Sequence, residues 1–259
     1  MNEKNWSFTR KLVYKGMLFL FLSFMVGGLV KLARDNVAVV TSENVKYKNL
    51  PIYCVETDKK QISLTFDAAW GDEDLDDILA TLEEYDAKAT FFVTNQFSKY
   101  RYYLKQIDAD GHAIGIHTTT HRYGDIYKNE TAFFNDLNTM GNIIKEEVGY
   151  FPKITRFPGG SSNSYSLTKQ LVYRVYEKGY QYFDWNVSSG DAAGIKVPAT
   201  IAANVINGAK GKDSICVLMH DLHTATAQAL PAIIDGLRAQ GFIFMPLTVD
   251  NYGYHHRPY

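Results

Sequence analysis

The feature that most constrains the fold is a regular alternation of strand and helix signals between about residues 61 and 247. Short runs rich in β-branched and aromatic residues predict seven strands, at 62–67, 88–94, 112–117, 154–158, 180–185, 214–220 and 242–247. Nearly continuous apolar strands that alternate with helices are typical of a parallel sheet covered on its outside. We therefore predict an α/β fold, either a barrel or a doubly wound sheet, with its functional site at the carboxyl ends of the strands.

Helical patterns separate the predicted strands. Leucine or isoleucine at positions 75, 78, 79 and 82 shares one helix face, and apolar residues between Phe133 and Val148 repeat at spacings of three and four. Further helices are predicted at 98–109, 166–178, 198–209 and 225–239. Glycine closes several of these helices before the next strand, at Gly111, Gly149, Gly179, Gly211 and Gly241.

An uncharged, apolar run near the amino terminus, residues 16–30, predicts a membrane anchor, since Lys15 and Lys31 at its ends can extend to the membrane surfaces. The stronger basic flank precedes the run, which predicts a single-pass protein of the cell membrane with its catalytic domain extracellular. A cleaved signal peptide is disfavoured because Lys31 lies two residues before the best cleavage site, Ala33. A buried helix of the soluble domain is disfavoured by the flanking charges.

The chain is thus predicted to comprise four segments. These are a cytoplasmic tail and transmembrane anchor (1–34), a stalk (35–60), the α/β domain (61–250) and a polar tail (251–259). The formal net charge of -1 gives no sign of a nucleic-acid partner. The 18 Tyr, 15 Phe and 3 Trp serve either in packing or as platforms for sugar rings, and composition alone favours packing.

The two cysteines, Cys54 and Cys216, are too few for a disulfide scaffold. Period-two alternation places Cys216, Leu218 and His220 on one face of the predicted strand 214–220. If His220 faces the interior, Cys216 is a small buried apolar residue. A bridge between the two cysteines is the less favoured alternative.

Polar side chains follow five of the predicted strands. The strand ends carry Asp67, His117, Arg156, Asp184 with Trp185, and His220 with Asp221. Any one of these residues has a structural explanation, but five polar ends on one rim of a parallel fold are hard to explain by packing. In HTTTH (117–121), two histidines four residues apart on a turn or short helix suit a divalent metal such as Zn²⁺. His112 is predicted to be structural, and His255 and His256 are given no role.

Five short motifs occur in the order LTFD, HTTTH, RFPGG, FDW and LMHD. In these motifs and their order the chain resembles the polysaccharide deacetylases with NodB homology, a family of metal-dependent carbohydrate esterases. The resemblance spans roughly residues 61–247, and five ordered motifs are far more specific than any single one. It implies an α/β fold of the irregular (β/α) barrel type, with seven or eight units.

The resemblance also implies catalytic and metal-binding roles. Asp67 matches the general base that activates a metal-bound water, and Arg156 matches an arginine that pairs with this base and sets its pKa. His117 and His121 match two metal ligands. The implied cofactor is a divalent metal, with zinc favoured and cobalt, manganese or nickel as alternatives.

Further roles concern the leaving group and the substrate. His220 matches the general acid that protonates the leaving amine, and Asp184 matches a carboxylate that orients this histidine. Trp185 and Leu218 match residues that line the acetyl pocket. Gly159 stands where the family often has a tyrosine, and its backbone N–H can still support an oxyanion. Amide hydrolysis needs such groups to activate water, stabilise the oxyanion and protonate the departing nitrogen.

Ala68 departs from the family pattern, in which the second Asp of TFDD is the third metal ligand. Three outcomes are open. An acid among residues 72–74 completes the site, Asp67 becomes the ligand and leaves the base role to another group, or the enzyme is impaired. The ordinary explanation of the 72–74 acids, that they favour the dipole of the following helix, is preferred to a metal role.

The leading functional hypothesis is an anchored, outward-facing deacetylase that hydrolyses N-acetyl groups of cell-wall peptidoglycan, so its expected partners are glycan strands and the membrane. One alternative is a carbohydrate-binding or structural wall protein on a disabled enzyme fold, which Ala68 motivates. Another is a deacetylase of chitin or xylan, which shares the chemistry and differs in substrate.

Overall fold

All seven predicted strands are present in the structure, a computed structural model that describes residues 60–68, 74–95, 101–221, 224–251 and 254–256. The strands are β1 (Lys60–Ala68), β2 (Ala89–Val93), β3 (Ala113–Ile116), β4 (Ile154–Thr155), β5 (Gln181–Tyr182), β6 (Val187–Ser188), β7 (Ser214–His220) and β8 (Phe242–Phe244). The additional strand is β6, which has no predicted counterpart. β1 begins at Lys60, the residue predicted to end the stalk.

The helices occupy the predicted places, with a short helix and a 3-10 turn added. They are α1 (Leu75–Glu84), α2 (Tyr102–Ala109), α3 (Tyr123–Ile126), α4 (Glu130–Val148), α5 (Thr168–Glu177), α6 (Pro198–Ala209) and α7 (Thr224–Ala239), and the 3-10 turn is Asp191–Ala193. The apolar faces predicted for α1 and α4 are buried. The side chain of Asn129 caps the start of α4, and Gly149, at φ 87°, ends this helix in the left-handed region.

The strands form one parallel sheet in the order β5-β4-β3-β2-β1-β7-β6, with β8 also beside β1. β1 pairs with β8 through residues 60–62 and with β2 through residues 64–68. Within the described residues, the outermost strands β5 and β6 are not paired with each other. The sheet is therefore a parallel half-barrel rather than the closed barrel that the prediction allowed.

The two faces of β1 differ in chemistry, and this difference positions the site. Ile62, Leu64 and Phe66 pack in the large hydrophobic core with residues of the surrounding helices. Because side chains alternate along a strand, Thr65 and Asp67 point to the opposite face, where both contact the guanidinium of Arg156. The inner face of the half-barrel therefore carries buried polar groups, whereas the opposite face of β1 is apolar.

The structure confirms the buried position predicted for Cys216. This residue is fully buried on β7 and is a free thiol, and its Sγ lies 3.4 Å from Nη2 of Arg156. Burial raises the pKa of this thiol to about 11, so it stays protonated. Cys54 lies outside the described residues.

A membrane anchor was predicted near the amino terminus and a polar tail at the carboxyl terminus. None of the helices in the described ranges is long and apolar enough to cross a membrane, and the predicted anchor at 16–30 lies outside those ranges. At the other end, residues 254–256 pack onto the fold, although a polar tail was predicted there. The backbone of Asp184 donates to the carbonyl of Tyr254 at 2.8 Å, and the His255 ring stacks on Tyr182 with centroids 3.8 Å apart.

Candidate active site

Asp67 and His220 lie side by side at the carboxyl edge of the sheet, because β1 and β7 pair in a register that makes these two residues direct partners. Asp67 is buried and His220 is largely buried. The sheet register therefore brings together two of the predicted catalytic residues, which lie far apart in the sequence.

Arg156 fills the inner face of the half-barrel and is fully buried. Its guanidinium donates to five acceptors: Asp67 Oδ1 at 2.8 Å, Thr65 Oγ1 at 2.6 Å, Cys216 Sγ at 3.4 Å, and the carbonyls of Phe183 at 2.9 Å and Asp184 at 3.2 Å. The planar group also lies over the Phe92 ring, 4.3 Å from its centroid. These contacts come from four strands or strand ends and therefore fix the guanidinium in one position. The guanidinium in turn holds Asp67 in one orientation.

The predicted pairing of Arg156 with Asp67 is present. Burial opposes ionisation of Asp67, but the charge of Arg156 and its hydrogen bond to the carboxylate outweigh burial and hold the pKa of the carboxyl below its usual range. Asp67 is consequently ionised at neutral pH, the state that a general base requires.

His117 is oriented by the backbone of the residue that pairs with the base. Its Nδ1 donates to the carbonyl of Arg156 at 2.9 Å, which leaves Nε2 as the atom with a free lone pair. That Nε2 lies 3.5 Å from Oδ2 of Asp67. Burial lowers the pKa of His117 to about 4, so the imidazole is neutral at neutral pH, as a metal ligand must be.

The HTTTH segment forms a tight turn that brings the two histidine rings together. The ring centroids of His117 and His121 are 4.9 Å apart. Thr118 and His121 have φ of 71° and 54°, a left-handed conformation that non-glycine residues rarely adopt. Asp136 of α4 stabilises the turn by accepting the backbone N–H of Thr119 at 2.5 Å. The strained backbone directs both imidazoles to the same side.

The donors around this turn suit a divalent cation of the zinc type. Two neutral imidazoles are ligands that zinc, cobalt and nickel prefer. Two ligands on one tetrahedral ion, each about 2.0–2.1 Å away, lie about 3.3 Å apart, and the 3.5 Å between His117 Nε2 and Asp67 Oδ2 is close to this value. No group of three acidic, histidine or cysteine side chains arranged to hold a metal is found in the described ranges.

The carboxylate that orients His220 is Asp191, and the prediction that Asp184 does so is wrong. Asp191 Oδ1 lies 3.0 Å from Nδ1 of His220, and its Oδ2 accepts the backbone N–H of the same residue at 2.7 Å. Burial alone would lower the pKa of His220, but the hydrogen bond to Asp191 and the charge of Asp67 raise it above the ordinary value.

Sequence reasoning missed Asp191 because it follows β6, the short strand that was not predicted. It begins a 3-10 turn after Gly190, so it is not the residue at a strand end. The available signal was the segment SSGDAAG at 188–194, in which an acid follows a Ser-Ser-Gly turn.

Asp184 instead forms hydrogen bonds that connect its own segment with two others near the site. Its Oδ1 accepts the backbone N–H of Ser161 at 2.7 Å, and its Oδ2 accepts the Ser161 hydroxyl and the backbone N–H of His256 at 2.9 Å. It therefore joins the loop after Arg156 to the carboxyl-terminal segment. The residue belongs to the site, but it supports loops and makes no contact with His220.

The remaining predicted residues lie around these groups. Trp185 contacts the His256 ring, with centroids 4.5 Å apart, and Leu218 is a buried residue of β7 next to β1. Gly159, at φ 76°, lies in the loop after Arg156. The pocket roles of Trp185 and Leu218 and the oxyanion role of the Gly159 N–H stay predictions. His112 is buried and its Nδ1 accepts the backbone N–H of Ala89 at 3.3 Å, in agreement with a structural role.

The chain is similar to known proteins in both sequence and fold. The family model for polysaccharide deacetylases matches residues 55–181. A peptidoglycan-N-acetylglucosamine deacetylase of Bacillus cereus is 32% identical over 235 residues, which are 87% of this chain and 84% of that protein. The solved catalytic domain of a peptidoglycan N-acetylglucosamine deacetylase from Eubacterium rectale superimposes with a TM-score of 0.75 and 40% identity, over 79% of this chain and 96% of that one.

A crystal structure of a polysaccharide deacetylase from Bacillus cereus matches with a TM-score of 0.67 and 34% identity, over 73% of this chain and 92% of that one. The chain belongs to the polysaccharide deacetylase family.

Proposed function

We propose that this protein hydrolyses the N-acetyl groups of peptidoglycan amino sugars with the aid of a divalent metal. The observation that carries the proposal is the position of the Asp67 carboxylate, 2.8 Å from Nη1 of Arg156 on one side and 3.5 Å from Nε2 of His117 on the other. The substrate class is supported by the relatives, which are named as deacetylases of peptidoglycan N-acetylglucosamine.

The residues divide the chemistry of amide hydrolysis between them. His117 and His121 would hold the metal, zinc foremost, with cobalt, manganese or nickel as alternatives. A bound cation of this kind lowers the pKa of water and polarises a carbonyl oxygen. Asp67, kept ionised by Arg156, accepts a proton from the attacking water. His220, protonated on Nε2 and oriented by Asp191, donates a proton to the departing nitrogen, which leaves as the amine of the sugar.

The third protein ligand has two candidate sources, because residue 68 is alanine. One is an acid among residues 72–74, of which Asp74 directly precedes α1 without capping it through its side chain, while 72 and 73 lie outside the described residues. The other is Asp67 itself, supported by the 3.5 Å between its Oδ2 and Nε2 of His117. If Asp67 is a ligand, another group takes over proton transfer from water.

Release of acetate tests the function. We would incubate the full chain, in detergent, with zinc, cobalt, manganese or nickel and with peptidoglycan fragments. Oligomers of N-acetylglucosamine and acetylated xylan complete the substrate panel, since a deacetylase of chitin or xylan would share this site. We expect acetate from peptidoglycan, and none from the Asp67→Asn variant. Acetate from the xylan alone would contradict the proposed substrate.

A carbohydrate-binding protein without activity is the second candidate. It is favoured by Ala68 and by the lack of a three-ligand group among the described residues. Failure of the wild-type chain to release acetate with any metal, together with restored release by Ala68→Asp, would show that the native protein is not an active enzyme. A stoichiometric metal that is lost in His117→Ala would argue against it.

We also propose that residues 16–30 anchor the protein in the cell membrane, with the catalytic domain outside and the stalk between them. The support is the uncharged run and the basic residues that precede it. Deleting residues 16–30 should release the protein from the membrane fraction. Protease added to intact cells should degrade the domain of the full-length chain, and protection of the domain would contradict the orientation.

A further inference from the structure

Three tyrosine rings form a cluster beside the histidine pair. The ring centroids of Tyr127 and Tyr165 are 4.9 Å apart, and those of Tyr123 and Tyr165 are 5.8 Å apart. Tyr127 is buried and Tyr123 is partly buried, whereas Tyr165 is 38% exposed. The cluster thus has a buried base and an aromatic surface that reaches solvent.

Hydrogen bonds hold this aromatic surface in place. The Tyr127 hydroxyl donates to the carbonyl of Pro158 at 2.9 Å, in the loop after Arg156. The side chain of Asn163 donates to the same carbonyl at 3.1 Å and accepts the backbone N–H of Tyr165 at 3.0 Å. A rigid aromatic surface loses little conformational entropy when it binds a ligand.

The cluster continues directly into the active site. The Tyr123 ring meets the His121 ring edge to face, with centroids 5.4 Å apart. A Cβ on Gly159 would lie 3.1 Å from the Tyr123 hydroxyl oxygen and 3.2 Å from its Cε1. The absence of a side chain at Gly159 therefore leaves the space that Tyr123 occupies. A ligand on Tyr165 and Tyr123 would extend towards the metal-binding histidines.

Tyr127 is buried by packing, whereas part of the Tyr165 side chain reaches solvent beside the site. A flat aromatic face with a hydroxyl at its edge suits a pyranose ring, which presents C–H groups on its faces and hydroxyls around its rim. The reacting acetamido group must reach the region between Asp67 and His220. Tyr123 contacts His121 and Tyr165 contacts Tyr123, so the ring of Tyr165 is one ring further from the metal-binding histidines. The sugar on the tyrosines is therefore a neighbour of the one that reacts.

We propose that Tyr123 and Tyr165 form a subsite that stacks against a pyranose ring of the glycan strand adjacent to the sugar that is deacetylated. This inference rests on the proposed function and specifies how the chain selects a polymer over a single sugar. It also assigns a sugar-binding role to two of the aromatic residues, although composition alone favours packing for the aromatic residues as a group.

Chain-length dependence tests the subsite. The Tyr165→Ala variant should raise KM about two- to tenfold for long oligomers of N-acetylglucosamine, the range that a lost ring contact of this kind produces. It should leave KM for the monosaccharide N-acetylglucosamine and kcat for both substrates unchanged. Tyr165→Phe, which keeps the ring, should restore the wild-type KM. Tyr173→Ala, at an exposed tyrosine of α5, is the matched control and should change KM for neither substrate.

An unchanged KM for long oligomers in Tyr165→Ala would overturn the subsite, and so would an equal rise for the monosaccharide. Calorimetric titration of the metal-loaded full chain with the long oligomer separates this result from failure of the proposed function. If the wild type binds the oligomer without releasing acetate, weaker binding by Tyr165→Ala still supports the subsite. Equal binding by the variant and the wild type overturns it.

Discussion

Asp191 holds His220 at two points: one carboxylate oxygen lies 3.0 Å from Nδ1 of the ring, and the other accepts the backbone N–H of the same residue at 2.7 Å. The carboxylate is buried and also accepts the hydroxyl of Thr226 at 3.1 Å. These contacts place the Nδ1 proton towards Asp191 and direct Nε2 away from it. The ring is thus oriented to deliver a proton from Nε2.

The Asp191→Asn variant should lose activity at a lower pH than the wild type. A general acid works only while protonated, so activity falls as pH rises through the pKa of His220. Asp191 and Asp67 raise this pKa above 6.5 despite burial. Removing the charge of Asp191 lowers the pKa, so the alkaline limb of the kcat/KM profile moves to lower pH. We expect a loss of about tenfold or more near neutral pH.

Asp184→Asn is the matched control, because Asp184 contacts Ser161 and His256 but not His220. Its alkaline limb should coincide with that of the wild type, even if the overall rate is lower. A shift of the limb in Asp184→Asn and none in Asp191→Asn would contradict the assignment of Asp191.

Replacing Arg156 by methionine should destabilise the fold severely. The change leaves the Asp67 carboxylate buried without its cationic partner, which typically costs about 3–5 kcal/mol. Asp67 has a lowered pKa in the folded state, so its contribution to stability is present above the ordinary carboxyl pKa of 3.8 and disappears as pH falls through the lower folded pKa. Denaturant unfolding at neutral pH should therefore show the whole loss.

Two further variants make this measurement specific. Adding Asp67→Asn to Arg156→Met removes the unpaired charge and should recover part of the stability. Arg174→Met removes an arginine that forms surface ion pairs with Glu130 and Glu177 and should leave the midpoint unchanged. Equal midpoints for wild type and Arg156→Met would show that the buried pair is not stabilising.

His117→Ala should lower metal affinity by more than the 10–100-fold that loss of an outer partner typically costs. His117 presents a free Nε2 because its Nδ1 is bonded to the Arg156 carbonyl. Competition with a chelator, followed by metal analysis, measures the change without relying on activity. His112→Gln alters a buried histidine elsewhere in the fold and should leave affinity unchanged. Ala68→Asp should tighten binding by supplying a third ligand.

His256→Ala should alter the surroundings of Trp185. The His256 Nε2 donates to the carbonyl of Trp185 at 2.8 Å, and the two rings are in edge-to-face contact. In a chain with phenylalanine at positions 6 and 70, Trp185 is the remaining tryptophan, and its fluorescence reports this contact directly. We expect a red-shifted emission and a raised KM. Identical emission spectra with and without His256 would show that the carboxyl-terminal segment does not position Trp185.

The amino-acid sequence by itself determined where the strands and helices lie and which polar residues stand at most of the strand ends. The period of apolar residues distinguishes strands from helices, and a parallel sheet brings the ends of its strands to one edge whatever its exact curvature. For this reason Asp67, His117, Arg156 and His220 could be identified before the structure was considered, and the structure does bring them together.

Tertiary structure alone decided which of these groups contact one another. The choice between Asp184 and Asp191 depends on β6, which has only two residues and pairs with β7 through non-local hydrogen bonds that leave no periodic pattern in the sequence. The packing of residues 254–256 on the site, and of Tyr123 beside Gly159, likewise depends on contacts between distant segments. Periodicity and local propensity describe neighbours along the chain, whereas a catalytic site is built from neighbours in space.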